Sequence, residues 1–245
     1  MEIRVHGPGQ GPEPLVVTMR TPGNDFDLAV GFCITEGAID SASDVATVAY
    51  CLPDDGVQQY NIVTVRLRRL VDLAAHHRDF AANASCGLCG KATLEQVEIA
   101  CGPVGPGPTV GRSVLVTLPE HLRRAQSVFD ATGGLHAAAC FGPNGELTVL
   151  REDVGRHNAV DKVVGHTALQ GRLPLADRVL LVSGRMSFEI VQKAAVAGIP
   201  ILCAVSAPSS LAVEAADRLG QTVVGFLRGD RFNVYTHHER VDLES

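Results

Sequence analysis

The chain has no tryptophan and few aromatic residues of any kind, 4% of 245. A platform on which bases of a nucleic-acid strand stack in succession is therefore excluded. Basic charge is also short: 21 Lys and Arg stand against 27 Asp and Glu, a net charge of −6. With no basic stripe to neutralise phosphates, a general nucleic-acid binder is excluded as well. No window approaches the roughly 20 unbroken apolar residues of a membrane span. The opening Met1-Glu-Ile-Arg-Val-His reads as a strand and carries no apolar signal region, which leads us to expect a cytoplasmic protein without a membrane anchor. Paired zinc-type cysteines are missing too, because only one Cys-x-x-Cys is present. Cys33, Cys51, Cys101, Cys140 and Cys203 stand singly in apolar surroundings and are expected to be small buried hydrophobes. Their odd total of seven with the remaining pair suits a reducing compartment.

What is present is an apolar fraction of 46%, enough for a sizeable core. Ile3 to Arg20 reads as two short strands around the Gly/Pro-rich stretch Gly7 to Pro14. A helix follows, capped by Asn24 or Asp25, with Phe26, Val30, Phe32 and Ile34 inside and Gly37 as terminator. Val45–Leu52 and Asn61–Arg68 are strand-like. In the second, Ile62, Thr64, Arg66 and Arg68 alternate with Val63, Val65 and Leu67, so one face is expected to be wet. These elements define a small α+β subdomain over 1–82. Segment 83–111, containing the glycine-rich cysteine pair and the stretch Gly102 to Gly111, is expected to be a mobile loop and linker. Residues 112–245 read as a packed α/β domain.

Within that domain Asn144-Gly145 marks a hairpin turn, and Arg156 to Leu169 a helix. Strand Arg178–Val182, helix Ser187–Ala197, strand Ile201–Val205, helix Ser209–Leu219 and strand Thr222–Phe226 then alternate. Apolar strands joined by helices imply parallel strands buried on both faces. Right-handed crossovers bring the carboxyl ends of such strands to one sheet edge. That edge would carry Ser183-Gly-Arg185, Ser206-Ala-Pro-Ser-Ser210 and Arg228-Gly-Asp-Arg231. Ligands of open α/β sheets bind there, where helix N-termini and arginines grip phosphate. Ordinary caps and turns are the bland alternative.

Cys86-Gly-Leu-Cys89-Gly-Lys91 is the most reactive segment. A thiolate on Cys86, favoured by Lys91, could carry a persulfide, and Cys89 could resolve it. Three alternatives stay open: a zinc site completed by His76-His77, a thioredoxin-like redox pair, and an inert loop. His136, after Gly133-Gly134, is either a hydrogen-bonded core residue or a functional one. Arg151-Glu-Asp-Val-Gly-Arg-His-Asn158, which includes Arg156 and His157, is either an elaborate N-cap or a pocket wall. The Tyr235-Thr-His-His238 tail reads as surface.

Taken in order, Met19-Arg-Thr-Pro-Gly, Gly31-Phe32 with Thr35-Glu36-Gly37, Cys86-Gly-Leu-Cys-Gly-Lys, Gly133-Gly-Leu-His-Ala, Arg151 through Lys162, Ser183-Gly-Arg-Met-Ser-Phe-Glu189, Ser206-Ala-Pro-Ser and Tyr235-Thr-His resemble the FdhD/NarQ family of formate dehydrogenase accessory sulfurtransferases. The resemblance spans nearly the whole chain. It implies a cytidine-deaminase-like three-layer α/β/α core and an enzyme that takes persulfide sulfur from a cysteine desulfurase. The sulfur would pass to the molybdenum of bis-molybdopterin guanine dinucleotide, making that cofactor competent for formate dehydrogenase. The alternative is a cofactor-binding chaperone whose cysteines stay idle.

By the same resemblance Cys86 and Cys89 are the catalytic pair. Phe226, Leu227, Arg228, Gly229, Asp230 and Arg231 form the cofactor-binding stretch, with a GDP-like moiety bound. Arg185 and Ser206, with His136, Arg156 and His157, are further binding candidates, no metal ligand is expected, and a homodimer is implied. Deamination itself is disfavoured. His136-Ala137-Ala138 lacks the glutamate of a His-x-Glu, and the cysteine pair precedes the histidine instead of following it. The resemblance to longer relatives also leads us to expect that the N-terminal arm is absent and that any contact made by that arm is missing here.

Overall fold

The computed structural model describes residues 1–51, 60–70 and 102–245. The N-terminal elements are strands β1 (Glu2–His6) and β2 (Glu13–Val17), helix α1 (Asp25–Thr35), and strands β3 (Val45–Tyr50) and β4 (Ile62–Leu67). They form a four-stranded sheet in the order β2-β1-β4-β3. The hairpin β1–β2 is antiparallel, as its turn composition predicts, and β4 lies parallel to β1. In β4 the expected wet face is only partly wet. Arg66 is exposed, but Thr64 is buried, its hydroxyl 2.9 Å from the Cys51 thiol. Cys51 itself is half-buried rather than a core residue, because its sulfur has this polar partner at the edge strand.

Helix α1 starts after Asn24, whose backbone is left-handed at φ 56° and whose side chain makes no cap bond. Gly37, at φ 77°, ends it by adopting a conformation costly for other residues. The helix is buried almost all round, since it lies between β4 and a second helix, α5 (Arg156–Leu169). Gly31 and Gly165 make this contact possible. A Cβ on Gly31 would stand 1.8 Å from the Asp161 carbonyl oxygen, and one on Gly165 would stand 1.8 Å from that of Asp27. Neither side would tolerate a methyl group without moving.

After residue 101 come β5 (Val110–Gly111) and helices α2 (Arg112–Leu115), α3 (Leu118–Ala125) and α4 (Ser127–Thr132). The hairpin of β6 (His136–Phe141) and β7 (Leu147–Asp153) turns at Gly145, φ 82°, as Asn144-Gly145 predicts. Then follow α5, β8 (Val179–Val182), α6 (Phe188–Val196), β9 (Ile201–Ala204), α7 (Ser210–Arg218), β10 (Thr222–Arg228), β11 (Arg231–Thr236) and β12 (Val241–Asp242). Strands β8, β9 and β10 are parallel neighbours, and every residue of β8 and β9 is buried, as their unbroken apolar runs demand. The full order is β11-β10-β9-β8-β6-β7, with β6 antiparallel to β8.

One face of this six-stranded sheet (Ala138, Cys140, Leu180, Val182, Leu202, Val223) packs on α1, α5, α6 and α7. The other (Ala139, Phe141, Leu181, Cys203, Val224, Leu227) packs on Leu115, Leu118 and Leu122 of α2 and α3. The molecule is thus a mixed α/β structure with helices on both faces of the sheet. Fully burying each Val or Leu side chain contributes about 1.5–3 kcal/mol. Cys33, Cys140 and Cys203 are buried as expected, and burial pushes their thiols up to about 12, so they stay protonated and inert. Most of the expected linker, residues 83 to 101, lies outside the described residues.

Candidate functional site

The carboxyl ends of β8, β9 and β10 share one edge, and the antiparallel β6 begins there with His136. Three following loops are stitched together by their backbones. Met186 N–H donates to the Ala207 carbonyl at 3.1 Å, Ser209 N–H to the Met186 carbonyl at 3.0 Å, and Phe226 N–H to the Ser206 carbonyl at 3.1 Å. Pro208 sits so close to Gly225 that an added Cβ there would approach its ring to 2.7 Å. Phe226 pays for this closeness with φ 54°, a left-handed backbone that bulky residues rarely adopt. Its ring is exposed, whereas the Leu227 side chain is fully buried in the core and offers a ligand only its backbone.

Arg228 bends back over the edge and donates from Nε to the Val205 carbonyl at 2.7 Å. Gly229, at φ 55°, makes the turn into β11; the Asp230 carbonyl accepts from Arg112 at 2.9 Å, and Arg231 is 92% exposed. Arg231 and Asp230, the latter 82% exposed, therefore both project into solvent.

A second group lies on the helix α5 and α6 side of the same edge. His136 rests its ring against Gly184, where an added Cβ would be 3.1 Å from Nδ1, so the glycine makes room for the imidazole. His136 titrates below the usual histidine range. Partial burial is the main cause, and the charges of Arg156, His157 and Arg185 push the same way. Arg185 is exposed, and Arg156 holds a buried Nε that has no hydrogen-bond partner among the described residues. His157 Nε2 lies 2.9 Å from the Ser187 hydroxyl and 3.0 Å from Glu189 Oε2. Burial works to raise the Glu189 pKa, but hydrogen bonds from His157 and Ser187 outweigh it and hold the carboxyl below its usual range. Ser187 and Glu189 carried no signal of their own beyond their place in the Ser183–Glu189 motif.

On the opposite face of the sheet edge, α3 and α4 leave a cleft of about 480 Å³. Pro119, Leu122, Phe129, Leu135 and Val205 give it apolar walls. Arg123 stacks over Phe129 with its guanidinium carbon 4.8 Å from the ring centre. His136, Ser183 and Gln126 supply the polar rim. His136 thus borders both the cleft and the cationic group. The cleft had no sequence signal, because its walls come from helices that periodicity alone did not place.

The rest of the Arg151–Lys162 motif is neither a solvated N-cap nor a pocket wall. Asp153, fully buried, pairs with Lys162 at 2.7 Å and accepts from the Thr21 and Gly155 amides and from Asn158. Asn158 donates onward to the Met19 carbonyl and Lys162 to that of Thr21, at 2.7 and 2.9 Å. Arg151 grips Asp27 of α1 at 2.9 Å, and Glu152 accepts from the first amides of α4. Likewise Asp161 is held by Thr35 at 2.6 Å and by Lys193 at 2.9 Å. The motif ties the N-terminal elements to α5. In the Tyr235–His238 tail, Tyr235 and His238 lie on the surface as expected, whereas Thr236 is buried and structural: it accepts from Val223 and donates to Gln221, and the His237 carbonyl accepts from Thr222.

Cys86 and Cys89, with Lys91 and His76-His77, lie outside the described residues. Among the described residues no group of three or more His, Cys, Asp or Glu side chains could hold a metal ion, and no helix is long and apolar enough to cross a membrane.

An open sheet whose carboxyl edge gathers arginines and histidines beside a cleft has the layout in which α/β proteins commonly place their ligand sites. The chain belongs to the FdhD/NarQ family, whose model matches residues 2–242. It is 51% identical to the sulfur carrier protein FdhD of Mycolicibacterium paratuberculosis over 98% of this chain and 89% of that protein. The protein of the same name from Streptomyces avermitilis is also 51% identical, over 100% and 88%. That from Sulfurisphaera tokodaii is 47% identical, over 94% and 85%. A solved structure assigned as a formate dehydrogenase accessory protein from Desulfotalea psychrophila superposes with a TM-score of 0.73 at 25% identity, over 98% of this chain and 89% of that one.

Proposed function

We propose that this protein is a sulfur carrier serving formate dehydrogenase. The observation that carries the proposal is the near-complete match, at about half identity, to relatives named sulfur carrier protein. In this reading the protein acts as a sulfurtransferase. Cys86 accepts sulfur from a cysteine desulfurase as a persulfide, with Cys89 as its companion, and the sulfur passes to the molybdenum of bis-molybdopterin guanine dinucleotide. The arginines and histidines at the sheet edge support a phosphate-bearing ligand there: Arg228, Arg185, Arg156 and His157 present cationic or hydrogen-bonding groups, and Arg156 Nε is buried without a partner among the described residues. Phe226, Gly229, Asp230, Arg231 and Ser206 complete the binding segment for the GDP-like end of the cofactor. We also read the six-stranded core as cytidine-deaminase-like, the protein as cytoplasmic, and the working form as a homodimer.

The test is incubation with a cysteine desulfurase and cysteine, followed by mass spectrometry. Addition of one sulfur atom at Cys86 is expected. Cys86→Ala should abolish maturation of formate dehydrogenase while leaving the melting temperature unchanged. Normal maturation by that variant refutes the carrier mechanism, and tight cofactor binding without any adduct favours a chaperone.

A further inference from the structure

We propose that Glu189 and Ser187, at the start of α6, are positioning residues for His157: they hold its Nε2 proton and let Nδ1 become a donor to an anion at the sheet edge. This rests on the phosphate-binding reading of that edge given above and assigns two residues that reading does not use.

One observation is a helix cap that is not made. Ser187 and Ser209 occupy matching places, each the N-cap of the helix that follows a parallel strand and each with an extended backbone. Ser209 does what a serine there ordinarily does: its hydroxyl accepts from the Ala212 amide at 3.1 Å. Ser187 makes no cap bond. Its hydroxyl lies 2.9 Å from His157 Nε2 and donates to Glu189 Oε2 at 3.2 Å. With its proton given to Glu189, this hydroxyl can only accept from His157, so Nε2 carries the ring proton. Glu189 Oε2, 3.0 Å from the same nitrogen, shares that proton. The cap that Ser209 makes is given up at Ser187 in favour of the imidazole.

The other observation is the distribution of charge. His136 on β6 feels Arg156 and His157 on α5, Arg185 after β8 and, with opposite sign, Asp153 on β7. Partial burial and those cations hold it below the usual histidine range. His157 stands in the same group but has a carboxylate bonded to it. Burial opposes ionisation of Glu189, yet the hydrogen bonds from His157 and Ser187 and the Lys193 charge outweigh it. A protonated ring at 157 therefore has its counter-charge in place.

With Nε2 held, Nδ1 is the ring atom left for a ligand, and it makes no hydrogen bond among the described residues. In the neutral ring it is a bare acceptor, which an anion avoids. Binding of a phosphate oxygen draws a proton from solvent onto Nδ1, and the imidazolium then donates to the ligand on one side and to Glu189 on the other. Glutamate with protonated histidine sums to zero charge, as glutamine with neutral histidine does. Glu189→Gln thus removes the donor without making the bound complex more negative.

The test uses the full chain and calorimetric titration with GDP-mannose, whose pyrophosphate diester exchanges no proton between about pH 5 and 8, where histidine titrates. Titration in two buffers of different ionisation enthalpy counts the protons taken up on binding. The wild-type chain should take up protons at neutral pH. Glu189→Gln should take up fewer and bind about tenfold more weakly, the scale of one charged hydrogen bond, recovering as pH falls. Ser187→Ala, a gentler change, should move both quantities the same way by less. In a His157→Gln background Glu189→Gln should no longer weaken binding. A carboxylate that merely repels the ligand gives the opposite sign. Tighter binding by Glu189→Gln at unchanged proton uptake overturns the proposal, as does an equal loss with and without His157. If the wild-type chain does not bind GDP-mannose, the edge reading fails and this assignment with it. Melting without ligand checks the cap: Ser209→Ala should lower Tm and Ser187→Ala should not, whereas equal falls would show Ser187 serving the helix and overturn its assignment to the ring.

Discussion

Replacing Gly31 by alanine sets two effects of opposite sign against each other. Within a helix, glycine to alanine favours folding by up to about 1 kcal/mol. Here the new methyl would stand 1.8 Å from the Asp161 carbonyl oxygen, 2.6 Å from its carbon and 2.9 Å from the Gly165 nitrogen. These are backbone atoms of α5 and cannot rotate away. Restoring ordinary contact requires the two helices to separate locally by roughly 1.5 Å.

That separation would loosen the bonds crossing the same interface, Thr35 to Asp161 at 2.6 Å and Arg151 to Asp27 at 2.9 Å. Overpacking of a core costs about 1–3 kcal/mol, and strained charged hydrogen bonds add to it, so the clash wins by about 2–4 kcal/mol. For a chain of this length that corresponds to a fall in Tm of about 5–15 °C, read by calorimetry or urea unfolding. Gly165→Ala should act alike, since its methyl meets the Asp27 carbonyl at 1.8 Å. The double variant should cost clearly less than the sum, because helices already parted by one methyl accommodate the second. A Tm equal to or above that of the parent protein in either single variant would refute the close-contact argument.

Other interactions yield sharper chemical tests. Asp153→Ala leaves the Lys162 ammonium buried with carbonyl partners only, and should cost about 3–5 kcal/mol in urea unfolding. Lys193→Met strands Asp161 and Glu36 in the same way; the attraction of these two carboxylates overcomes burial and holds the Lys193 pKa above its usual range. A similar loss is expected there at neutral pH, partly recovered as the medium is acidified and Asp161 takes up a proton. Partial burial and nearby cations lower the His136 pKa in the folded protein, so the unfolded chain binds the proton first. Its contribution is full above the ordinary value of 6.5 and is lost as pH falls toward the folded value. His136→Gln should flatten the dependence of stability on pH below that point; an unchanged slope would show that the imidazole is not the group responsible.

Much of the scaffold was legible because burial leaves a local pattern. The fully apolar runs at 179–182 and 201–204, separated by helices, could only be parallel strands covered on both faces, and they are. Asn144-Gly145 and the caps near Asn24 and Gly37 named their turns because few residues tolerate those backbone angles. The Arg151–Lys162 motif was misleading for the opposite reason. A run of polar residues at a helix start looks solvated until its partners are known, and those partners lie over a hundred residues away, at Met19, Thr21, Asp27 and Thr35.

The amino-acid order by itself determined the parallel strands and the helices that join them, which loops follow those strands, the family, and the cysteine pair on which the proposed chemistry depends. Only the tertiary structure decided that the charged motif is a buried tie between α1 and α5, that two glycines let those helices touch, and that His136 stands between a cationic edge and a cleft. Periodicity records whether a residue is hidden from water. It carries no information about which distant group meets a hidden charge, because that is fixed by how the packed elements are placed relative to one another.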